Sequence, residues 1–249
     1  MTETARTAAL DLLDAVLGRG QTLEAAIAAH TGMQRLAGAE QAFAGRLALT
    51  TIRRLGQIDD LLARALERPL GAKARVARDV LRLGAAQLLF MEIPAHAAVD
   101  TSVDLFHSRG AGSFAKLVNA VLRRLSREGT DWVAAQDAPR LNTPDWLWES
   151  WTDTYGAATT RAIATAHLAE APLDLTPKSD APHWAERLGG QIVAAGSVRL
   201  SSPGAVSGLA GFDDGAWWVQ DAAARLVGGL VGASVGDVRG KHVIDLCAA

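Results

Sequence analysis

The sequence predicts a mostly α protein: an all-α helical bundle, a small α/β unit after it, and then the first strand of a further sheet. Three observations carry that reading. Period-two alternation is absent from the first half, where apolar residues recur every three or four positions. All seven tryptophans (Trp132, Trp146, Trp148, Trp151, Trp184, Trp217, Trp218) follow residue 131, so the two halves use different materials and should have separate cores. The last stretch, KHVIDLCAA (Lys241 to Ala249), reads as a buried strand, Val243 to Leu246, running into a turn of small residues.

The elements follow in order. TARTAALDLLDAVLGRG sets Ala9, Leu10, Leu13, Val16 and Leu17 at helical spacing and ends on Gly18 and Gly20, which suit a C-terminal cap. A long periodic segment from Glu40 stops before Pro69, and another, RVARDVLRLGAAQLLFMEIP, closes at Pro94. Gly84, Ala85 and Ala86 would let a neighbouring backbone approach closely, which marks that segment as the central helix. AHAAVDTSVDLFHSRG and SFAKLVNAVLRRLSREG complete the bundle. AAQDAPRLNTPDW (Ala134 to Trp146), with its prolines and turn residues, reads as the linker. Beyond it TPDWLWESWTDTYG starts a helix with Thr143 as N-cap, and TRAIATAHLAEA continues as helix. Short strands are predicted at Leu173–Thr176, Ser197–Leu200 and Ala216–Asp221, with helices at PHWAERLGG and AAARLVGGLVG. The expected domains are 1–137, 138–235 and 236–249.

Composition narrows the function classes. With 49 % apolar residues and a mean hydropathy of +0.10, the chain can fill real cores. Its longest nearly uncharged apolar stretch, Leu83 to Met91, is far short of the roughly 20 residues that cross a bilayer, and no leader pattern opens the chain. A cytoplasmic protein is expected. One cysteine makes no internal disulfide, and no Cys/His spacing suits zinc, so no metal is expected. The net charge of −2 conceals an asymmetry: residues 1–130 hold 17 basic and 13 acidic side chains, and residues 131–249 hold 8 and 14. Within 46–127 the count is 14 to 7, which points to an anionic partner at the bundle, a merely solvated surface being the competing reading.

On a helical wheel Asn119, Arg123 and Arg127 fall within about 60° of Lys116, while Phe114, Leu117, Val118, Val121, Leu122 and Leu125 fill the opposite arc. Three cations and an amide along about 16 Å of helix could grip phosphates, again with a solvated face as the alternative. Arg54 falls inside an apolar arc and is expected to form a buried or half-buried ion pair with Glu92, Asp100 or Asp104, a structural role and not an RNA contact. His96, at an apolar-face position, reads as a core or capping histidine. No GxGxxG, no P-loop and no Ser/His/Asp pattern occurs. The base and cation nearest to Cys247 in sequence, His242 and Lys241, stand at the other end of the predicted strand, roughly 16 Å away at 3.3 Å per residue, so Cys247 reads as a packed turn residue.

RDVLRLGAAQLLFMEIPAHAAVDTSVDLFHSRGAGSFAKLVNAVLRRL resembles the NusB-type RNA-binding helical domain, and WWVQDAAARL followed by VIDLCAA resembles the entry to the catalytic domain of bacterial 16S rRNA cytosine-5 methyltransferases of the RsmB (Sun, Fmu) family. The resemblance implies a NusB-like bundle, a connector and the first strand of a Rossmann-like methyltransferase domain. It implies S-adenosylmethionine as cofactor, with Cys247, Ala248 and Ala249 at the start of the loop that holds it, and 16S rRNA of the small ribosomal subunit as partner. It implies two catalytic cysteines that are absent here, so the 249 residues are expected to be a C-terminally shortened, monomeric chain that binds RNA without methylating it. A non-enzymatic RNA-binding or antitermination module is the second reading, and a protein-interaction bundle the third.

Overall fold

A computed structural model describes residues 3–109, 114–201, 206–236, 239–242 and 244. The chain divides into two compact units, Met1–Ala169 and Glu170–Ala249.

In the first unit α1 (Ala5–Arg19) starts on a reciprocal capping box between Thr4 and Thr7 and ends on Gly20, whose φ of 68° is the left-handed cap conformation. The short α2 (Leu23–Ala29), capped by Thr22, follows. The long periodic segment is two helices, α3 (Gly38–Arg53) and α4 (Leu55–Ala65), broken at Arg54. A Cβ on Gly56 would lie 1.7 Å from the Leu141 carbonyl oxygen, so this stretch is pressed against backbone. After α5 (Arg75–Phe90) come α6 (Ala95–Ser108) and α7 (Ala115–Ala134).

Helix α5 is central, packing against α1, α3, α4, α6 and α7, as its small residues predict. A Cβ on Gly84 would stand 2.7 Å from both Leu122 methyl carbons and 3.0 Å from Ser102 Oγ, so the contact among α5, α6 and α7 requires the missing side chain. Leu81, Leu83, Phe106, Leu122 and Leu125 are fully buried there, each contributing about 1.5–3 kcal/mol of transfer free energy.

The expected linker is instead built into the first unit. α8 (Ala138–Leu141), α9 (Asp145–Tyr155) and α10 (Ala157–Ala166) belong with the bundle, so the division falls at Ala169 and not at residue 137. What fastens α8 is a knot of amides around Gln57, which is 2 % exposed. Its backbone N–H donates to Asn142 Oδ1 at 3.1 Å, its Oε1 accepts from Asn142 Nδ2 at 2.9 Å, and its Nε2 donates to Gln136 Oε1 at 3.0 Å. Gln136 Nε2 returns bonds to the Gln57 carbonyl at 3.0 Å and to Asp60 at 2.7 Å. Thr143, expected to cap α9, donates its hydroxyl to the Pro139 carbonyl at 2.8 Å, and α9 has Pro144 at its N-cap with no side-chain cap.

The second unit is a four-stranded antiparallel sheet in the order β2-β3-β1-β4: β1 (Leu173–Pro177), β2 (Gln191–Ile192), β3 (Val198–Leu200) and β4 (Trp217–Val219), with helices α11 (Ala181–Leu188) and α12 (Ala222–Val235). The three predicted strands and both predicted helices are present. Leu175, Val198, Leu200 and Trp217 form the core with Ala185 of α11. Asp174 faces Arg199 across β1 and β3 and takes its guanidinium by two bonds, of 2.6 and 2.7 Å. Asp174 Oδ2 also accepts the Ala222 N–H at 3.0 Å, which ties the start of α12 to the sheet. Of the predicted terminal strand, Val243, Asp245 and Leu246 lie outside the described residues; Ile244 is exposed and joins none of the described strands.

Candidate functional site

Helix α7 acquires two faces from its sequence alone. Val118, Val121, Leu122 and Leu125 are buried in the core, and Gly129 lets Leu89 close to within 2.9 Å of where a Cβ would be. On the other face Lys116, Arg123 and Arg127 are exposed and Asn119 is half-buried, so the structure brings all four predicted residues to one side of one helix. Arg123 Nε donates to Asn119 Oδ1 at 3.0 Å, one turn apart, which holds that guanidinium along the helix. Lys116 and Arg127 enter no ion pair among the described residues.

Beside this face, α7 and the loop after α4 enclose an open groove of about 700 Å³. Leu66, Leu70, Phe114 and Leu117 line it, with Arg68 and Arg127 exposed at its edge. Arg124 forms a fixed part of the wall: Nε donates to Glu128 at 3.2 Å, Nη1 to the Ala65 carbonyl at 3.4 Å, and the guanidinium lies 5.2 Å from the centre of the Trp132 ring. The α7 sequence shows the stripe but not the groove. Arg68 and Phe114 reach it only because the chain folds back there, and no local pattern shows that.

Two expectations need correction. Arg54 has no carboxylate partner among the described residues: Nη1 donates to Gln57 Oε1 at 3.0 Å, Nη2 to the Leu168 carbonyl at 3.2 Å, and the guanidinium sits 5.4 Å from the centre of the Phe90 ring. Glu92, Asp100 and Asp104 are all exposed, whereas Arg54 is half-buried. With only neutral partners, burial and then the neighbouring Arg53 lower the Arg54 pKa. His96 is exposed in the first turn of α6 and makes no capping bond among the described residues.

Glu3, Asp11 and His30 bring ligand atoms within 4.8 Å of one another, the arrangement nearest to a metal site among the described residues. The chemistry of the donor set opposes a metal. His30 Nδ1 accepts the Met33 N–H at 2.9 Å, so the neutral ring carries its proton on Nε2, the atom that faces Asp11 at 3.7 Å. Asp11 is already held by Arg109 at 2.7 Å.

The stretch WWVQDAAARL has a structural explanation. Gln220 Oε1 accepts from Thr176 Oγ1 at 3.0 Å and from Trp218 Nε1 at 3.1 Å, and Asp221 Oδ1 caps the Ala223 N–H at 2.8 Å, so these residues fix the turn from β4 into α12. Cys247, Ala248 and Ala249 lie outside the described residues. No helix among the described residues is long and apolar enough to cross a membrane.

A helical bundle with a basic face on one helix, followed by a small antiparallel unit, defines the class. Residues 3–127 match the NusB family, and the chain belongs to it. It is also similar to two curated bacterial proteins. It is 29 % identical over 228 residues to a Synechocystis protein named "Probable ribosomal RNA small subunit methyltransferase B", covering 84 % of this chain and 50 % of that one. It is 28 % identical over 269 residues to the ribosomal RNA small subunit methyltransferase B of Escherichia coli, covering 98 % of this chain and 58 % of that one. The chain thus spans about half the length of the curated relatives it matches. The crystal structure of PH0851 shares the fold at a TM-score of 0.55 and 13 % identity, over 93 % of this chain and 56 % of that one.

Proposed function

We propose that this chain is the RNA-binding part of an S-adenosylmethionine-dependent rRNA cytosine-5 methyltransferase, with small-subunit rRNA in the cytoplasm as its partner. The α7 face carries the proposal: three exposed cations on one helix, with one carboxylate of the next turn, Glu128, already taken by Arg124. Such a face neutralises phosphates without reading bases. The names of the relatives support the rRNA and methyl-transfer parts of the reading. The donor cofactor would supply the methyl group; Cys247, Ala248 and Ala249, which the resemblance assigns to its loop, are the positions proposed to approach it. The chain on its own should bind RNA as a monomer and transfer no methyl group, because its single cysteine is not one of the two that the resemblance requires.

Binding of this chain to a small-subunit rRNA fragment, measured by fluorescence anisotropy across a series of salt concentrations, tests the reading. Replacing Lys116, Arg123 and Arg127 by alanine should reduce the slope of log K against log salt by about 2, at roughly 0.7 per phosphate contact on single strands. An unchanged slope would move the RNA to another surface, and no RNA binding by the parent would favour a protein-interaction bundle. Methyl transfer to rRNA by this chain alone would overturn the expected inactivity.

A further inference from the structure

We infer that the groove beside α7 is a binding site for one unpaired nucleotide of an RNA strand, its base on the apolar lining and its flanking phosphates at Arg68 and Arg127. This deepens the reading just proposed and rests on it. A phosphate-gripping helix face treats duplex and single strand alike, but the groove offers something only an unpaired base can use. Leu66, Leu70, Leu117 and Phe114 present apolar surface and one aromatic ring, and a splayed-out base has two faces that gain by leaving water against them. A paired base keeps those faces inside its helix.

Size and charge agree. At about 700 Å³ the groove lies within the roughly 300–1,000 Å³ range of small-ligand sites. Its edge carries Arg68 and Arg127, with Glu67 as the one carboxylate among its lining residues. Another hollow among the described residues, about 570 Å³ around Glu3, Asp11 and Asp14, sets three carboxylates against Arg19 and Arg35, a poorer balance for a phosphate than the groove's three arginines and one carboxylate. Continuity supports the assignment as well. Arg127 belongs both to the groove and to the α7 stripe, so a strand whose backbone follows Lys116, Arg123 and Arg127 passes the mouth of the groove.

The test compares a single-stranded RNA oligonucleotide with one of the same length and phosphate number lacking its bases. The parent should bind the intact strand about tenfold more tightly, the size expected for one stacked base. Phe114→Leu, which keeps an apolar group against the core and removes the ring, should narrow that gap, whereas the Lys116/Arg123/Arg127 alanine variant should weaken both strands alike. Equal binding of the two strands by the parent, with both weakened by the triple variant, would refute the groove and leave the α7 face standing. Loss of neither strand in the triple variant would remove the face, and the groove with it. If Phe114→Leu fails to fold, 4-thiouridine crosslinks in the parent take its place: crosslinks within 66–71 or 114–127 support the groove, and crosslinks elsewhere refute it.

Discussion

Replacing Gln57 by methionine should detach α8 from the bundle at a cost that can be worked out bond by bond. The thioether fills similar space but cannot donate or accept as the amide does. Three side-chain bonds disappear, those with Arg54 Nη1, Asn142 Nδ2 and Gln136 Oε1, while the bonds of the Gln57 backbone to Asn142 and Gln136 persist. At a net of about 1 kcal/mol per bond, and with Gln57 sealed from water so that none can substitute, the loss is about 2–3 kcal/mol after the gain from burying a less polar group. With an m-value of about 2 kcal/mol per M in urea, the unfolding midpoint should fall by about 1 M, followed by far-ultraviolet circular dichroism because the helices dominate that signal. The Gln57→Met/Gln136→Met double variant should cost less than the sum of its singles, since the two residues share bonds. A midpoint within about 0.2 M of the parent's, or strict additivity in the double variant, would show that the amide knot does not hold α8.

Three further outcomes are expected. Gly56→Ala should destabilise by about 3 kcal/mol or more, because the new methyl meets a backbone carbonyl that cannot move aside, whereas Gly84→Ala, which meets the ends of a leucine, should cost about 1 kcal/mol once the better helix propensity of alanine is counted; thermal melts ranking the two in the other order would contradict the packing. The Arg199 guanidinium, helped by the Ala222 N–H, holds the Asp174 carboxyl below its ordinary value against the opposing effect of burial. A carboxyl depressed in the folded state contributes stability that is complete above its unfolded pKa of about 3.9 and disappears as pH falls through the folded value. Protection factors in β1 and α12, taken against the intrinsic exchange rate at each pH, should therefore fall on acidification below about pH 4 in the parent and respond less in Asp174→Asn, and parallel profiles would refute the linkage. Arg54→Met should lower stability only modestly, by about 1–2 kcal/mol, because it releases two neutral acceptors and strands no carboxylate; a loss above about 3 kcal/mol would point back to a charged partner.

What could be read in the sequence was what repeats locally. The two faces of α7 follow from the spacing of Val118, Val121, Leu122 and Leu125, and the centrality of α5 from Gly84 and its alanines, because both depend on periodicity within one helix. Three of the four β strands of the second unit were visible as short apolar runs between turn residues; β2, only two residues long, was not. Features set by distant neighbours were not. Gly56 abuts the Leu141 carbonyl, and the partners of Arg54 are Gln57, Leu168 and Phe90, none of them a carboxylate. The expected boundary at residue 137 followed composition, whereas α8 is joined by amides, which leave no hydropathy pattern. The groove leaves no local pattern because its two sides, residues 65–71 and 114–127, meet only in three dimensions.

Neutral amides carry most of the attachment of α8, and dipoles of that kind are nearly indifferent to dissolved ions. Potassium chloride concentrated enough to wash a polyanion from the surface should therefore leave this joint closed, so elution and unfolding can be measured as separate events on the same sample.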